Sequence, residues 1–296
     1  MTYRGAESFL RPSFPFSERT NSMKNAIYML RSVTDTICLS LIITTEDGKV
    51  LVVDGGFPAE TDHFLKSIRA ITGQERPHID TWFLTHPHDD HISVFLKIMR
   101  EMPDAVDVDC IRFNFPSIQF LAREDASAEG TMTEFTELLP VFADRVCFTS
   151  GGDEFDIGAA HIEVLYTHDY ELNRNVCNNA SMVFTVTLGG KRILITGDSG
   201  VEAGQKMLRL VPEKLKADIC QMAHYGQNGC DRAFYEAVSP ETCLWPTPTW
   251  LWNNDAGKGY NTHSWQTVVV QGWMDEIGVK TNYIAKDGDQ VCELGE

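Results

Sequence analysis

Four side chains able to hold a metal ion, His86, His88, Asp90 and His91, fall within the six residues His86-Pro87-His88-Asp89-Asp90-His91. Two histidines two positions apart on an extended turn point the same way, so both imidazoles can reach one ion. Asp90 and His91 then face a different direction, which suits a second ion beside the first, at the separation of about 3.5–4 Å common in binuclear hydrolytic sites. The competing reading is a surface loop that happens to be rich in His and Asp. Three of the nine histidines interleaved with carboxylates at one strand end argue against it.

A strand must deliver this cluster, and residues 79–84 form a short run, apolar except for one charge at Asp80, that ends directly before it. Upstream, residues 25–32, 36–45 and 49–53 are expected as strands, with Glu46-Asp47-Gly48 as a hairpin turn and Asp54-Gly55-Gly56 closing the third. Residues 59–71 have helical periodicity. Beyond the cluster, 92–102 is expected as helix, 109–115 as extended chain, and 120–142 as helix interrupted at Gly130. The second half repeats the alternation, with strands at 145–149, 161–166, 181–188 and 191–196 and the turn Gly189-Gly190. Helix, strand, helix and strand follow over 201–244, then a last helix and strand over 264–294. Hairpins followed by helix and strand, twice over, imply an α/β architecture in which two mixed β-sheets pack face to face with helices on the outer faces, an αββα sandwich. The expected organisation is an N-terminal segment, 1–24, and one domain, 25–296.

An apolar fraction of 43% supports a large core in this 296-residue chain. With 42 acidic against 25 basic side chains the formal charge is -17, which repels polyanions, so long nucleic acid is not an expected partner. The one basic stretch, Lys206, Arg209, Lys214 and Lys216, alternates with Glu202 and Glu213 and reads as a solvated helix face. No window approaches the roughly 18 apolar residues of a membrane span, and the first residues lack the apolar core of a signal peptide, so a cytoplasmic protein is expected. Eight scattered cysteines without a C-x-x-C pair imply reduced, mostly buried thiols.

A His-x-His-x-Asp-His segment after a strand resembles the signature of the metallo-β-lactamase superfamily. Asp54-Gly55-Gly56 resembles that family's Asp-Gly turn supporting the metal loop, and Thr196-Gly197-Asp198, closing residues 193–198, resembles the later strand whose terminal aspartate bridges two metals. Further motifs are similar to those of the soluble hydrolase domain of ComEC-type DNA-uptake proteins: Asn178-Asn179-Ala180-Ser181, Ala223-His224-Tyr225-Gly226 and the late His263. The resemblance implies that His86 and His88 hold a first ion, Asp90, His91 and His224 a second, and that Asp198 bridges them.

The chain departs from the pattern in three places. The His-His-Gly motif reads His224-Tyr225-Gly226, and Gly-His-Pro reads Thr262-His263-Ser264. The superfamily's third histidine for the first metal, in Gly-His-Thr-x-Gly, is replaced in Val176-Cys177-Asn178-Asn179-Ala180. Cys177 could supply a thiolate there, although a packed cysteine is the simpler reading, and His168 is another substitute further upstream. For His224 the alternative to metal binding is a satisfied core histidine; for His263, ahead of a helix expected near Ser264, a metal ligand and a hydrogen-bond donor to substrate weigh equally. Asp198 is either a metal-bridging carboxylate or a helix N-cap ahead of 201–210. His63, His78 and His161 read as surface or packing residues.

The implied activity is that of a metal-dependent hydrolase using a metal-activated hydroxide, with Asp90, Asp198 and His263 as catalytic residues and Asp90 also accepting the water's proton. Zinc, as one or two ions, is the expected cofactor, and manganese or iron suits a site richer in carboxylate. A small-molecule substrate, a phosphodiester or nucleotide, fits the acidic charge better than a DNA strand, with Trp245, Trp250, Trp252 and Tyr260 as a stacking wall or as core. Two other readings stay open: an iron-dependent oxidoreductase similar to persulfide dioxygenases, and a non-catalytic metal-binding protein of the same fold.

Overall fold

The computed structural model of the protein describes residues 23–295; residues 1–22, on which the reading of the leader and most of the N-terminal segment rest, lie outside them. The first half runs β1 (Ala26–Met29), β2 (Ser40–Thr44), β3 (Val50–Asp54), α1 (Thr61–Thr72), β4 (His78–Phe83), α2 (Asp89–Glu101), β5 (Asp107–Arg112), α3 (Ile118–Glu124) and α4 (Glu129–Phe142). The second runs β6 (Glu154–Ile157), β7 (Ala160–Tyr166), β8 (Val183–Leu188), β9 (Lys191–Ile195), α5 (Val201–Leu210), β10 (Ile219–Gln221), α6 (Arg232–Val238), β11 (Thr242–Trp245), α7 (Thr249–Trp252), α8 (Thr267–Ile277), β12 (Thr281–Ile284) and β13 (Gln290–Glu293).

Two mixed sheets result. One has the order β13-β1-β2-β3-β4-β5, antiparallel up to β3 and parallel from β3 to β5; the other has the order β12-β11-β10-β9-β8-β7-β6, parallel from β9 to β12 and antiparallel elsewhere. Side-chain alternation along a strand explains the layering. In β3, Leu51 and Val53 point into the space between the sheets, while Val50 and Val52 pack outward against helices. Between the sheets Phe83 and Phe184 stack at 4.5 Å. On the outer face of the first sheet Phe64, Phe95, Phe135 and Phe142 cover Trp82; on that of the second, Met207, Phe234 and Met274 cover Leu194, Cys220 and Cys243. This is the expected αββα sandwich.

Several local expectations are corrected. Residues 145–149 form no strand: a 3₁₀ turn at Ala143–Arg145 leads to a single parallel bridge, Ile111↔Val146, because the returning chain touches only the edge of β5. The break in 120–142 falls at Asp125, whose carboxylate accepts the Ser127 N–H, while Gly130 lies inside α4. Residues 154–157, without an expected element, pair with β7, and 264–294 carries two strands in different sheets, with α8 starting at Thr267. The Lys206 and Lys214 side chains are ion-paired with Asp169, Glu171 and Glu163, in keeping with a solvated face. Among the described residues no helix is long and apolar enough to cross a membrane.

The expectation of reduced thiols fails for one pair. The bridge at Val146 brings Cys110 and Cys147 to a Cα separation of 5.7 Å, and they form a disulfide, a bond that is uncommon in reducing compartments. Cys38, Cys177, Cys220, Cys230, Cys243 and Cys292 are free and buried. The bridge closes a loop across 37 positions that contains α3 and α4. Removing it with Cys110→Ala and Cys147→Ala should lower the unfolding free energy by about 2–4 kcal/mol, read from the urea midpoint. An unchanged midpoint would show that the cross-link does not constrain the unfolded chain.

Candidate metal centre

The site begins at Asp54, where β3 ends in a left-handed residue of φ 53°. Its Oδ1 accepts the Thr85 N–H at 2.8 Å, and its Oδ2 accepts the Thr85 hydroxyl at 2.7 Å and lies 2.8 Å from His91 Nδ1. The Trp82 indole N–H donates to the Asp54 carbonyl. A side chain at Gly56 would strike Cys38 Sγ, and one at Gly55 would strike Val94, so the turn requires both glycines. From this anchor the chain leaves β4 and passes through His86 and His88 into α2, whose first turn carries Asp89 and Asp90, where the helix dipole favours carboxylates.

The second sheet supplies the other wall. After β9, Gly197 takes φ 53° with its α-carbon against Ser181 and Thr85, which sends Asp198 into the site; the Asp198 N–H donates to Ser181 Oγ at 2.9 Å. After β10, His224, Tyr225 and Gly226 are all left-handed, and the ring of Trp245 leaves no room for a side chain at Gly226. The Met182 N–H donates to the Thr85 carbonyl and the His224 N–H to that of Gly197, so the loops from both sheets are bonded together.

The donor atoms converge. His86 Nε2 lies 3.1 Å from His88 Nδ1, while His86 Nδ1 faces Thr85 Oγ1 and Ser181 Oγ, and His88 Nε2 faces Ser127 Oγ. His91 Nε2 is 3.1 Å from Asp198 Oδ2 and 2.6 Å from the Tyr225 hydroxyl, which also donates to Asp90 Oδ2 at 2.5 Å. His224 Nε2 is 3.7 Å from Asp198 Oδ2. At this point two sets of candidate ligands have atoms mutually within 4.8 Å, His86, His88 and Cys177, and His86, His91 and Asp198; a third group, His78, Asp80 and Asp109, lies on β4 and β5.

Electrostatics argue that these residues fit cations. Asp54, Asp90 and Asp198 are at most 6% exposed, and among the described residues their ion-pair partners are the imidazoles of His91 and His224 alone. Buried carboxylates require a compensating positive charge. Burial opposes charge on His91, yet Asp198, Asp90 and Asp54 outweigh it and hold that imidazole well above its ordinary value. Burial and the neighbouring imidazoles push His86 well below it, so it remains a neutral donor. Burial lifts Asp90 above the usual carboxylate range, whereas the His91 and His224 rings outweigh the burial of Asp198 and hold it low. Asp198 Oδ1 and His224 Nδ1 are buried without a hydrogen-bond partner.

His86, His88, Asp90, His91, Asp198 and His224 are therefore brought together at one point. Asp198 is no N-cap: Gly200 holds that position, and Asn179 Oδ1 accepts the Gly200 N–H. His263 is exposed, lies against the Trp265 ring at 3.7 Å and belongs to neither ligand set; backbone hydrogen bonds draw residues 261–263 onto the loop at Asn253 and Asn254. His168 bonds the Asn114 carbonyl. Trp245 is core; Tyr260 is exposed. Tyr225, read as a lost imidazole, is the residue the sequence reading missed, and the one signal for it was its place in the His224-Tyr225-Gly226 motif. Ser127 was also missed. A wide cleft lined by Glu163, Arg192, Lys214, Glu241 and Lys280 opens at the opposite ends of the parallel strands, away from the carboxyl ends where α/β sheets carry their chemistry.

Asp54→Ala should leave the Thr85 N–H and His91 Nδ1 buried without their acceptor. It should cost about 1–3 kcal/mol for each orphaned group and weaken zinc binding about 10- to 100-fold, checked by urea denaturation and competition with a chelator. Unchanged zinc affinity would separate Asp54 from the centre.

Residues 33–106 match the family model described as the metallo-beta-lactamase superfamily, a stretch that holds Asp54 and the His86–His91 cluster. A solved structure of CmlA, a diiron beta-hydroxylase from Streptomyces venezuelae, superposes with a TM-score of 0.55 and 14% identity over 94% of this chain and 55% of that one, so this chain spans about half of that protein's length. YhfI from Bacillus subtilis, a metallo-beta-lactamase fold protein, superposes with a TM-score of 0.52 and 13% identity over 90% of this chain and 99% of that one. A search of curated proteins found no match. The family match thus covers the first motif, and the two mixed sheets with helices on their outer faces have the αββα sandwich architecture of the metallo-β-lactamase fold.

Proposed function

We propose that this chain is a metal-dependent hydrolase acting on a small phosphodiester or nucleotide-like substrate through one domain, residues 25–296. The observation that carries the reading is the convergence of His86, His88, Asp90 and His91 from the first sheet with Asp198 and His224 from the second. The second set, His86, His91 and Asp198, with Asp90 beside it, and the histidines of the first, His86 and His88, suit divalent ions such as zinc or manganese. Ions held there supply acidification of water and neutralisation of charge developing on a substrate oxygen.

The protein's own groups do the rest. Asp90, raised by burial, is placed to accept a proton from attacking water at its carboxylate. The Tyr225 hydroxyl fixes that carboxylate from one side, and Asp54 fixes His91 from the other. Asp198, with Oδ1 free, belongs to the second ligand set, which shares His86 with the first. The similarity of Asn178-Asn179-Ala180-Ser181 and His224-Tyr225-Gly226 to ComEC-type motifs supports a phosphodiester, and the net charge of -17 supports a small substrate rather than a polymer.

A second reading, iron-dependent oxidation, is favoured by the oxygen-rich set at His91, where Asp90, Asp198 and the Tyr225 phenol gather. Bis-p-nitrophenyl phosphate, thioester, lactone and β-lactam substrates should be assayed with zinc, manganese and iron. The hydrolase reading expects chelator-sensitive phosphodiester turnover that falls about 10²-fold or more in Asp198→Ala and about tenfold in Tyr225→Phe. Stoichiometric iron with oxygen consumption and no hydrolysis would replace it with the second reading.

A further inference from the structure

We propose that Cys177 is a metal ligand whose thiolate completes a first ion site with His86 and His88. The proposal rests on the metal-centre reading above and adds a sulfur donor to it. One ligand atom from each of the three residues lies within 4.8 Å of the others. A tetrahedral zinc ion with bonds of about 2.0–2.1 Å to nitrogen and 2.3 Å to sulfur sets its donors roughly 3.3–3.6 Å apart. The 3.1 Å between His86 Nε2 and His88 Nδ1 is already close to this spacing.

The outer nitrogens agree. Ligating histidines hold their second ring nitrogen on a protein partner. Here His86 Nδ1 sits on Thr85 and Ser181 hydroxyls and His88 Nε2 on Ser127 Oγ, so the inward-facing atoms are Nε2 and Nδ1, respectively. Cys177 is held as firmly. Its N–H donates to Asp125 Oδ2, its carbonyl accepts the Ala180 N–H, and Asp125 also binds the Ser127 hydroxyl that faces His88. One carboxylate thus positions two members of the set.

The other free cysteines have different surroundings. The thiols of Cys38, Cys220 and Cys230 donate to backbone carbonyls, and that of Cys243 faces Met274 Sδ. Among the described residues Cys177 is the cysteine grouped with imidazoles. On binding, its S–H bond breaks, the sulfur keeps the electron pair and donates it to the ion, and the proton passes to solvent. The resulting two-nitrogen, one-sulfur set is softer than the set of His91, Asp90 and Asp198, and it selects zinc or cobalt over manganese at the first position.

The test is a titration of the metal-stripped full-length protein with cobalt(II), followed by visible and near-ultraviolet absorption. The wild type should show cobalt ligand-field bands together with a sulfur-to-cobalt charge-transfer band. Cys177→Ser should lose the charge-transfer band and bind cobalt about tenfold or more weakly. Cys177→His should keep the ligand-field bands without charge transfer. X-ray absorption of the wild-type zinc protein should show one sulfur neighbour at about 2.3 Å, a readout that needs no variant to fold. Ligand-field bands without charge transfer in the wild type would overturn the thiolate and leave the metal centre standing. No cobalt uptake at all would overturn both. A charge-transfer band that persists in Cys177→Ser would assign the sulfur to another thiol and also overturn the proposal.

Discussion

A single buried carboxylate, Asp54, connects the fold to its chemistry. It ends β3 in a left-handed conformation and receives the Thr85 N–H, the Thr85 hydroxyl and His91, so it sets where β4 releases the chain and how the first turn of α2 is oriented. Among the described residues no other side chain bonds both Thr85 and His91, which bracket the metal-ligand motif. Because the carboxylate is wholly buried, its three partners must be present together, since any one left out would be a costly unpaired group. The glycines at 55 and 56 follow from the same requirement, as the chain must turn tightly against Cys38 and Val94 to place Asp54 there.

Asp90 and Asp198 join Asp54 to concentrate negative charge where no Lys or Arg side chain pairs with it among the described residues. Such a cluster is stable only with cations inside it, as an imidazolium or as bound metal. His91 bridges two of these carboxylates directly, through Nδ1 to Asp54 and through Nε2 to Asp198. Tyr225 adds a neutral hydroxyl between Asp90 and His91. The left-handed run through His224, Tyr225 and Gly226 makes this reach geometrically feasible, and the Trp245 ring leaves Gly226 no room for a side chain.

The segment between Cys110 and Cys147 contributes more than bulk. Its 3₁₀ turn at Ala126–Ala128 brings Asp125 and Ser127 against Cys177 and His88, closing the first ligand set from the side that neither sheet reaches. Phe120, Leu121 and Ala128 pack on Val176 and Cys177 in a small separate core, so this arm of the site has its own hydrophobic support. The disulfide and the Ile111↔Val146 bridge hold the base of the arm to β5.

The local pattern of residues determined a good deal. A six-residue run of donors after an apolar strand, an Asp-Gly-Gly turn and a Thr-Gly-Asp strand end are short-range features, and they pointed to the sandwich and to His86, His88, Asp90, His91 and Asp198 as candidate ligands, because strand period and turn chemistry act over a few residues. What they could not carry were relations across long separations. Cys110 meets Cys147 only because one bridge forms at a sheet edge, and Tyr225 meets His91 across 134 positions only because the two sheets pack face to face. His263 shows the converse, a residue with the right type and order that belongs to neither ligand set, its backbone bonded to the Asn254 loop. Sequence specified which donors the chain owns; tertiary packing, by bringing two sheets and an arm to one point, decided which of them lie close together.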